Sequence, residues 1–400
     1  LANSVVAENE DGGLFVGGLS ASLNVTSSVV SDNQGNTYGG GIYVFVGSFS
    51  MTNSVVDGNT AGGGGGIRVG EDGTAVIYNS TISNNVADSS FSGGGLEASG
   101  PSTIVNSTIS GNMSERYAGG LLVGSGAEVD LYNVTIAENT ADSNGDNLGN
   151  GGGVHIASGT ISFQNTIIAR NVDNSSLTVY PDCSGTLTSQ GYNLVQDVSG
   201  CTITGSTKDN LTGIAPGLIP LDDNGGPTMT HALLPRSPAI DAGDPAGCAN
   251  EKGLSLTVDQ RGYIRPVNGD GAPDVACDIG AFEHLSSGPP KPTASPTATA
   301  TTTASPTPTS TPSPTGTATT GASPTPTNTV TPGPSPTSTS TATPGPSPTP
   351  TNTATPGPSP TPTNTVTPGP SPTPTATSEL PAGAQHTVYL PFFENEGDGQ

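Results

Sequence analysis

Residues 79–85 read NSTISNN, and six relatives of that phrase stand in the first 171 residues: NSVVAEN from Asn3, SSVVSDN from Ser27, NSVVDGN from Asn53, NSTISGN from Asn106, NVTIAEN from Asn133 and NTIIARN from Asn165. Successive copies start 24, 26, 26, 27, 27 and 32 residues apart. A period of this size means stacked copies of one supersecondary unit. Before the phrase, Leu23 and Val25, Phe49 and Met51, Ala75 and Ile77, Val129 and Leu131, and Ile161 and Phe163 recur at every second position, with a polar residue between them in each pair but Ala75 and Ile77. Alternation with period 2 predicts a strand with one buried face. Val6, Val30, Val56, Ile82, Ile109, Ile136 and Ile168 begin a second strand inside the phrase. The phrase closes on Asn9, Asn33, Asn59, Asn85, Asn112, Asn139 and Asn171. Asn tolerates left-handed backbone, so this position is expected to hold a bend, and stacked copies are expected to bond side chain to side chain as a ladder. After a loop of variable length comes a Gly-rich strand start: GGGIYV at 39–44, GGGIRV at 64–69, GGGLEA at 93–98, GGLLV at 119–123 and GGGVHI at 151–156.

Each unit therefore offers three short strands, none able to bury its apolar face alone. The expected fold is all-β: a three-sheet parallel β-helix, right-handed by analogy, with about seven coils over residues 1–171, or roughly 33 Å of rod at ~4.8 Å per coil. Residues 172–285 break the repeat and read as irregular closing coils. Residues 286–378 form a Pro/Thr/Ser-rich stretch, and 379–400 a tag-like tail around the apolar Val388–Phe393. Residues 292–378 carry no charge, and TPGPSP recurs at 331, 343, 355 and 367. Such a segment cannot bury enough apolar surface to fold and is expected to be an extended stalk. O-glycosylation of its Thr and Ser, or a plain spacer, are both open. The chain starts inside a repeat, which predicts further coils upstream.

The chain carries 33 Asp+Glu against 9 Lys+Arg, a formal charge of −24, and residues 1–171 hold only Arg68, Arg116 and Arg170 as cations. That argues against nucleic acid and anionic membranes as partners. No apolar run approaches the roughly 20 residues needed to span a bilayer. Cys183, Cys201, Cys248 and Cys277 form no CxxC and no zinc pattern. Their even number in a Ser/Thr/Gly-rich chain points to disulfides and an oxidising compartment, with sequence order favouring 183–201 and 248–277; buried thiols are the competing reading.

Four ordered motifs lie beyond the repeats: DNGGPT (Asp223–Thr228), HALLPRSPAIDAGD (His231–Asp244), DQRGYIRP (Asp259–Pro266) and CDIGAFE (Cys277–Glu283), with DCSGTLTSQGYNL (Asp182–Leu194) before them. From Tyr180 to Glu283 the chain resembles the C-terminal part of bacterial choice-of-anchor Q proteins, whose bodies are right-handed β-helices of the pectin-lyase-like class. The resemblance implies a secreted or surface protein with a C-terminal anchor, and no particular reaction. Arg261 is the scarce cation here, and a buried clamp with Asp241 or Glu283 is expected.

One outward residue per Gly-rich strand forms a column: Phe15, Tyr43, Arg68, Glu97, Leu122 and His155. Tyr43 beside Arg68 and Glu97 suits a sugar ring, so Tyr43, Arg68, Glu97 and His155 of this column are the candidate ligand face for a polysaccharide or cell-envelope glycan; a solvated face with an Arg68–Glu97 cross-strand pair is the plainer reading. The column lacks a glycosidase's carboxylate pair and a pectate lyase's calcium-binding Asp cluster, so no catalytic residue is assigned. Glu8, Asp32 and Asp57 are expected on successive coils, as a carboxylate or calcium site or as a solvated acidic face. Asn268, Asp270 and Asp274 have near calcium-loop spacing without the bidentate Glu, and a Gly-rich turn competes with calcium there. No other cofactor is called for. The expected function is adhesion, glycan contact or surface display outside the cell, with a polysaccharide lyase or glycoside hydrolase as the alternative.

Overall fold

The computed structural model describes residues 1–88, 93–124, 126–271 and 275–285; the Pro/Thr stalk, the tail and Asp274 lie outside them. Among the described residues every regular element is a strand, and the named strands pair in parallel. They form sheets of nine, eleven and five strands around one apolar interior, a parallel β-helix of about seven coils. The nine-strand sheet carries the phrase itself, from Val5–Ala7 through Thr81–Ser83 to Leu211–Thr212. Its inward Val30, Val56, Ile82, Ile109, Ile136 and Ile168 are buried.

The other two sheets divide differently from the sequence expectation. The Gly-rich strand and the strand before the phrase belong to one eleven-strand sheet, and in the second coil they are a single strand, Ile42–Thr52. The five-strand sheet is made by the pair of residues just after the phrase, such as Thr60–Ala61 and Val86–Ala87. Corners explain the division. The first residue of each phrase has φ of 46 to 55°, and the residue before the closing Asn has φ of 53 to 67°. The closing Asn itself is not the bend, because its side chain has another task.

That task is a ladder. Each Asn amide donates to the Oδ1 of the Asn one coil on: Asn59 to Asn85, Asn85 to Asn112, Asn112 to Asn139 and Asn139 to Asn171, all at 2.9 Å. Its second proton goes back to a strand carbonyl of the previous coil, as from Asn112 to Ile82 at 3.0 Å. Its Oδ1 also accepts the backbone N–H of the preceding Asn, as from Asn85 at 3.0 Å. Both protons and the oxygen of a buried amide are thereby satisfied. The last rung is Asp182, whose Oδ1 accepts from Asn171 Nδ2 at 2.9 Å and whose Oδ2 accepts the Asp197 amide at 2.8 Å. A terminal rung needs acceptors only, and a carboxylate supplies them; burial pushes its pKa up to about 6.

The last Gly of each Gly-rich start lies flat against this ladder. A Cβ on Gly66 would come within 2.8 Å of the Asn85 amide, on Gly95 within 2.9 Å of Asn112, and on Gly153 within 2.6 Å of Asn171. Asn and Gly columns, 17 to 19 residues apart in sequence in these three pairs, are two halves of one contact.

Stacking continues past residue 171 through Cys183–Gly191, Leu194–Val195, Cys201–Gly205 and Leu211–Thr212. Residues 213–271 and 275–285 then run back over the outer face of the nine-strand sheet as a strap. Gly280 donates to the Asn165 carbonyl, the Ala281 amide to Thr135 Oγ1, Thr108 Oγ1 to Gln260 and Thr81 Oγ1 to the Met229 carbonyl. A second apolar cluster, with Ile167 and Leu194 from the sheet and Leu233, Ile279 and Phe282 from the strap, fills the seam. Disulfides Cys183–Cys201 and Cys248–Cys277 join the end coils and the strap, in the pairing that sequence order favours.

The four motifs meet inside the strap. Arg261 is buried, as expected, but its partner is neither Asp241 nor the Glu283 carboxylate. It donates to Asp259 Oδ2 at 2.6 and 2.8 Å and to the Glu283 carbonyl at 2.7 Å, with Phe282 3.5 Å below the guanidinium. Two residues away on a tight turn, Asp259 reaches it first. Glu283 instead takes Arg265, at 3.0 Å, and Arg265 also donates to Asn106 Oδ1 at 3.0 Å. Asp241 accepts the Gly269 and Asp270 amides. Gly226 sits so close to Arg261 that a Cβ would lie 2.5 Å from its Cα, which ties DNGGPT to DQRGYIRP.

Replacing Asn112 by Ala leaves the Asn85 backbone N–H and one proton of its side-chain amide without their acceptor inside the rod. Since an unsatisfied buried polar group costs about 1–3 kcal/mol, the expected loss is about 3 kcal/mol or more by denaturant titration. Asn9→Ala, at the solvent-exposed first rung, should cost under about 1 kcal/mol. Equal losses at both positions would remove the ladder's claimed role.

Candidate functional site

The column expected from the sequence is present as a register lane: Phe15, Tyr43, Arg68, Glu97, Leu122, His155 and Ser184 pair in turn across the eleven-strand sheet. It is not uniformly open. Phe15 is 65% exposed, whereas Glu97 and Leu122 are only 5% and 6% exposed. Loops leaving the five-strand sheet fold across the lane and carry aromatic side chains with them. Tyr38 lies over Arg68, with the guanidinium 3.9 Å from the ring centroid. Tyr117 stacks on His155 at 4.8 Å, with the planes 18° apart.

Arg68 Nη1 donates to Glu97 Oε1. Burial pushes the Glu97 pKa up, and Arg68 with the amides of Gly64 and Gly93 opposes that. A Cβ at Gly63 would stand 2.8 Å from Glu97 Oε2 and 3.2 Å from both Arg68 and Tyr38, so a side chain there would have to push these groups aside. The pair is thus packed under the Tyr38 ring, with Arg68 Nε and Glu97 Oε2 buried without a hydrogen-bond partner. Towards the first coil the lane becomes aromatic. Around Tyr43 stand Phe15, Tyr38 and Phe45, with centroids 5.5, 5.8 and 5.9 Å away and planes tilted by 48 to 57°. Burial also raises the Tyr43 pKa, against the pull of Arg68.

Tyr38, Phe45 and Tyr117 were not singled out from the sequence. Tyr38 and Tyr117 lie in the variable loops, outside the repeat that located the lane; Phe45 follows the strand motif at a register shift between Val44 and Val46. A second groove was missed for a different reason. Glu251, on the strap, accepts from Tyr78 Oη at 2.6 Å across 173 residues of sequence. Nearby, Glu128, Asp130, Thr160, Ser162 and Thr188 line a shallow cavity of about 200 Å³. Burial, then Glu128 and Glu251, raise the Asp130 pKa.

Glu8, Asp32 and Asp57 do not share a lane. Asp57 pairs with Ser31 and Ser83, one position before the corner residues Glu8 and Asp32, and accepts from Ser83 Oγ at 2.6 Å and Asn84 Nδ2 at 2.8 Å. At the calcium-like loop, Asn268 Oδ1 accepts the Gly271 amide at 2.6 Å, a turn contact. Among the described residues no group of three or more His, Cys, Asp or Glu is placed to hold a metal ion. Ser110 Oγ stands 2.8 Å from His231 Nε2, which looks like a nucleophile and its base. Both residues are 1% exposed where the strap meets the sheet, and His231 Nδ1 is bonded to the Ile219 carbonyl at 2.7 Å, so the contact anchors the strap.

What the fold and lane define is a parallel β-helix with an aromatic, charge-paired strip on one face. No protein-family model, curated protein or solved structure matches the chain.

Burial lowers the His155 pKa to about 4, so the folded lane holds a neutral imidazole. The unfolded chain takes the proton below about pH 6.5, so this stabilisation is complete above that pH and is lost as pH falls towards 4. Between pH 7.5 and 5.5 the wild type should lose about 1 kcal/mol more than His155→Phe, a difference in which the other titrations cancel. Parallel pH slopes in the two proteins would place the histidine in solvent.

Proposed function

We propose that this chain is a secreted or surface-displayed β-helix that contacts glycan without cleaving it. The observation that carries the reading is the Arg68–Glu97 pair. The lane's one carboxylate is bound to the lane's one guanidinium, beneath Tyr38. General acid–base cleavage of a glycosidic bond needs two carboxyl groups on either side of the bond, one of them free to give its proton. A self-neutralised pair beside exposed rings offers shape and apolar surface in place of proton transfer.

Two disulfides fit an extracellular setting, and among the described residues no helix is long and apolar enough to cross a membrane. The resemblance of residues 180–283 to choice-of-anchor Q proteins supports display at a surface, with the uncharged Pro/Thr segment as spacer and potential O-glycan carrier. A second reading, a lyase or hydrolase, draws on the Glu128–Asp130 groove, where two carboxylates share a cavity wall.

The full chain, incubated with neutral and acidic polysaccharides with and without calcium, should be retained on at least one polymer and release no new sugar ends from any. New ends that vanish in Glu128→Gln or Asp130→Asn would make the protein an enzyme and overturn the proposal.

A further inference from the structure

The ring cluster of the first two coils specifies more than a general glycan contact. We propose that Phe15, Tyr38, Tyr43 and Phe45 form a binding site for a neutral hexose polymer, and that the site excludes uronate polymers. This rests on the reading of the sheet face as a glycan-contact surface.

The rings are open to solvent: Phe15 is 65%, Phe45 55% and Tyr38 45% exposed. Apolar rings left in water around a half-buried Tyr43 are a surface that gains from being covered. The rings are tilted by 48 to 57°, so they form a faceted platform instead of a closed stack. A pyranose has the matching form, with C–H faces and hydroxyl edges. Hydroxyl and amide partners continue along the same strands at Asn24, Ser48, Ser50 and Thr74, where Ser50 Oγ donates to Asn24 Oδ1 at 2.6 Å.

Charge sets the class. Arg68 is the cation at the cluster, and Glu97 neutralises it. Asp72, paired with Val46 in the next coil, and Glu71 beside it are exposed carboxylates close to Phe45 in the chain register. The surroundings are net negative, within a chain of formal charge −24. A carboxylate on every sugar would meet repulsion and no free cation. A neutral polymer meets neither.

Gly17 supplies an independent probe of the geometry. A Cβ there would lie 2.2 Å from the Phe15 ring, whose edge is free to swing, so Gly17→Ala displaces the ring without removing it.

The full-length wild type, Phe15→Ala, Phe45→Ala and Gly17→Ala are to be titrated with a linear neutral β-glucan, a mannan and a polygalacturonate, with melting temperatures in parallel. The expected result is binding of at least one neutral polymer and none of polygalacturonate. Affinity should fall about tenfold or more in each variant, with melting temperature unchanged for the exposed-ring changes. Binding of polygalacturonate as tight as that of the neutral polymers overturns the class assignment while leaving glycan contact intact. Neutral-polymer binding that is unchanged in all three variants overturns this site. If no polymer binds the wild type, the glycan-contact reading itself fails.

Discussion

The asparagine ladder is the constraint on which the remaining structure depends. Each rung fixes the vertical register of one coil on the next, because an amide must give one proton forward, one back and accept at its oxygen. It also fixes the lateral fit, because the backbone facing it carries a Gly with no room for a Cβ. A one-residue slip would point an amide into the apolar interior and turn every inward Val or Ile outward. Loops between rungs are free to vary in length, as the 24 to 32 residue spacing shows.

That division of labour builds the face. Because register is held by the ladder, side chains such as Tyr43, Arg68 and Glu97 arrive one above another with no requirement placed on their identity. The loops then decide what is covered. Tyr38 and Tyr117 close parts of the lane, while the ring cluster at the first coils stays in solvent. On the opposite side, the strap turns the polar outer lanes of Thr81, Thr108 and Thr135 into an interior contact, where Gln260, Thr228 and the Arg261–Asp259 and Arg265–Glu283 pairs complete the hydrogen bonding. Buried pairs of this kind are weak sources of stability, and here each carboxylate oxygen of Asp259 and Glu283 accepts at least one hydrogen bond.

Much of this was legible before any coordinates. The repeat, the inward valines and isoleucines, the parallel stacking, the ladder, the lane and the disulfide pairing all follow from local period and order. What was not legible shares a physical cause. The corner sits at Asp32 or Asn84 instead of the closing Asn because side-chain bonding, not backbone tolerance, fixed that Asn. Arg261 and Arg265 are equivalent in composition, and only the tight turn at Asp259–Gly262 decides which carboxylate each meets. Contacts such as Tyr78 with Glu251 or Ser110 with His231 join residues more than 100 apart in sequence with no shared period, so nothing local announces them. The Tyr38 and Tyr117 flaps lie in the segments whose variability helped to reveal the repeat.

Hydrogen exchange on the intact chain tests the central claim most directly, because it reads the ladder without altering it. The backbone amides of Asn59, Asn85, Asn112 and Asn139 each donate to a buried Oδ1 and should exchange only by opening of the rod. The account predicts that peptides covering 79–85, 106–112 and 133–139 are the slowest in the chain, and that 142–150 exchanges orders of magnitude faster. Equal rates in the ladder peptides and that loop would contradict it.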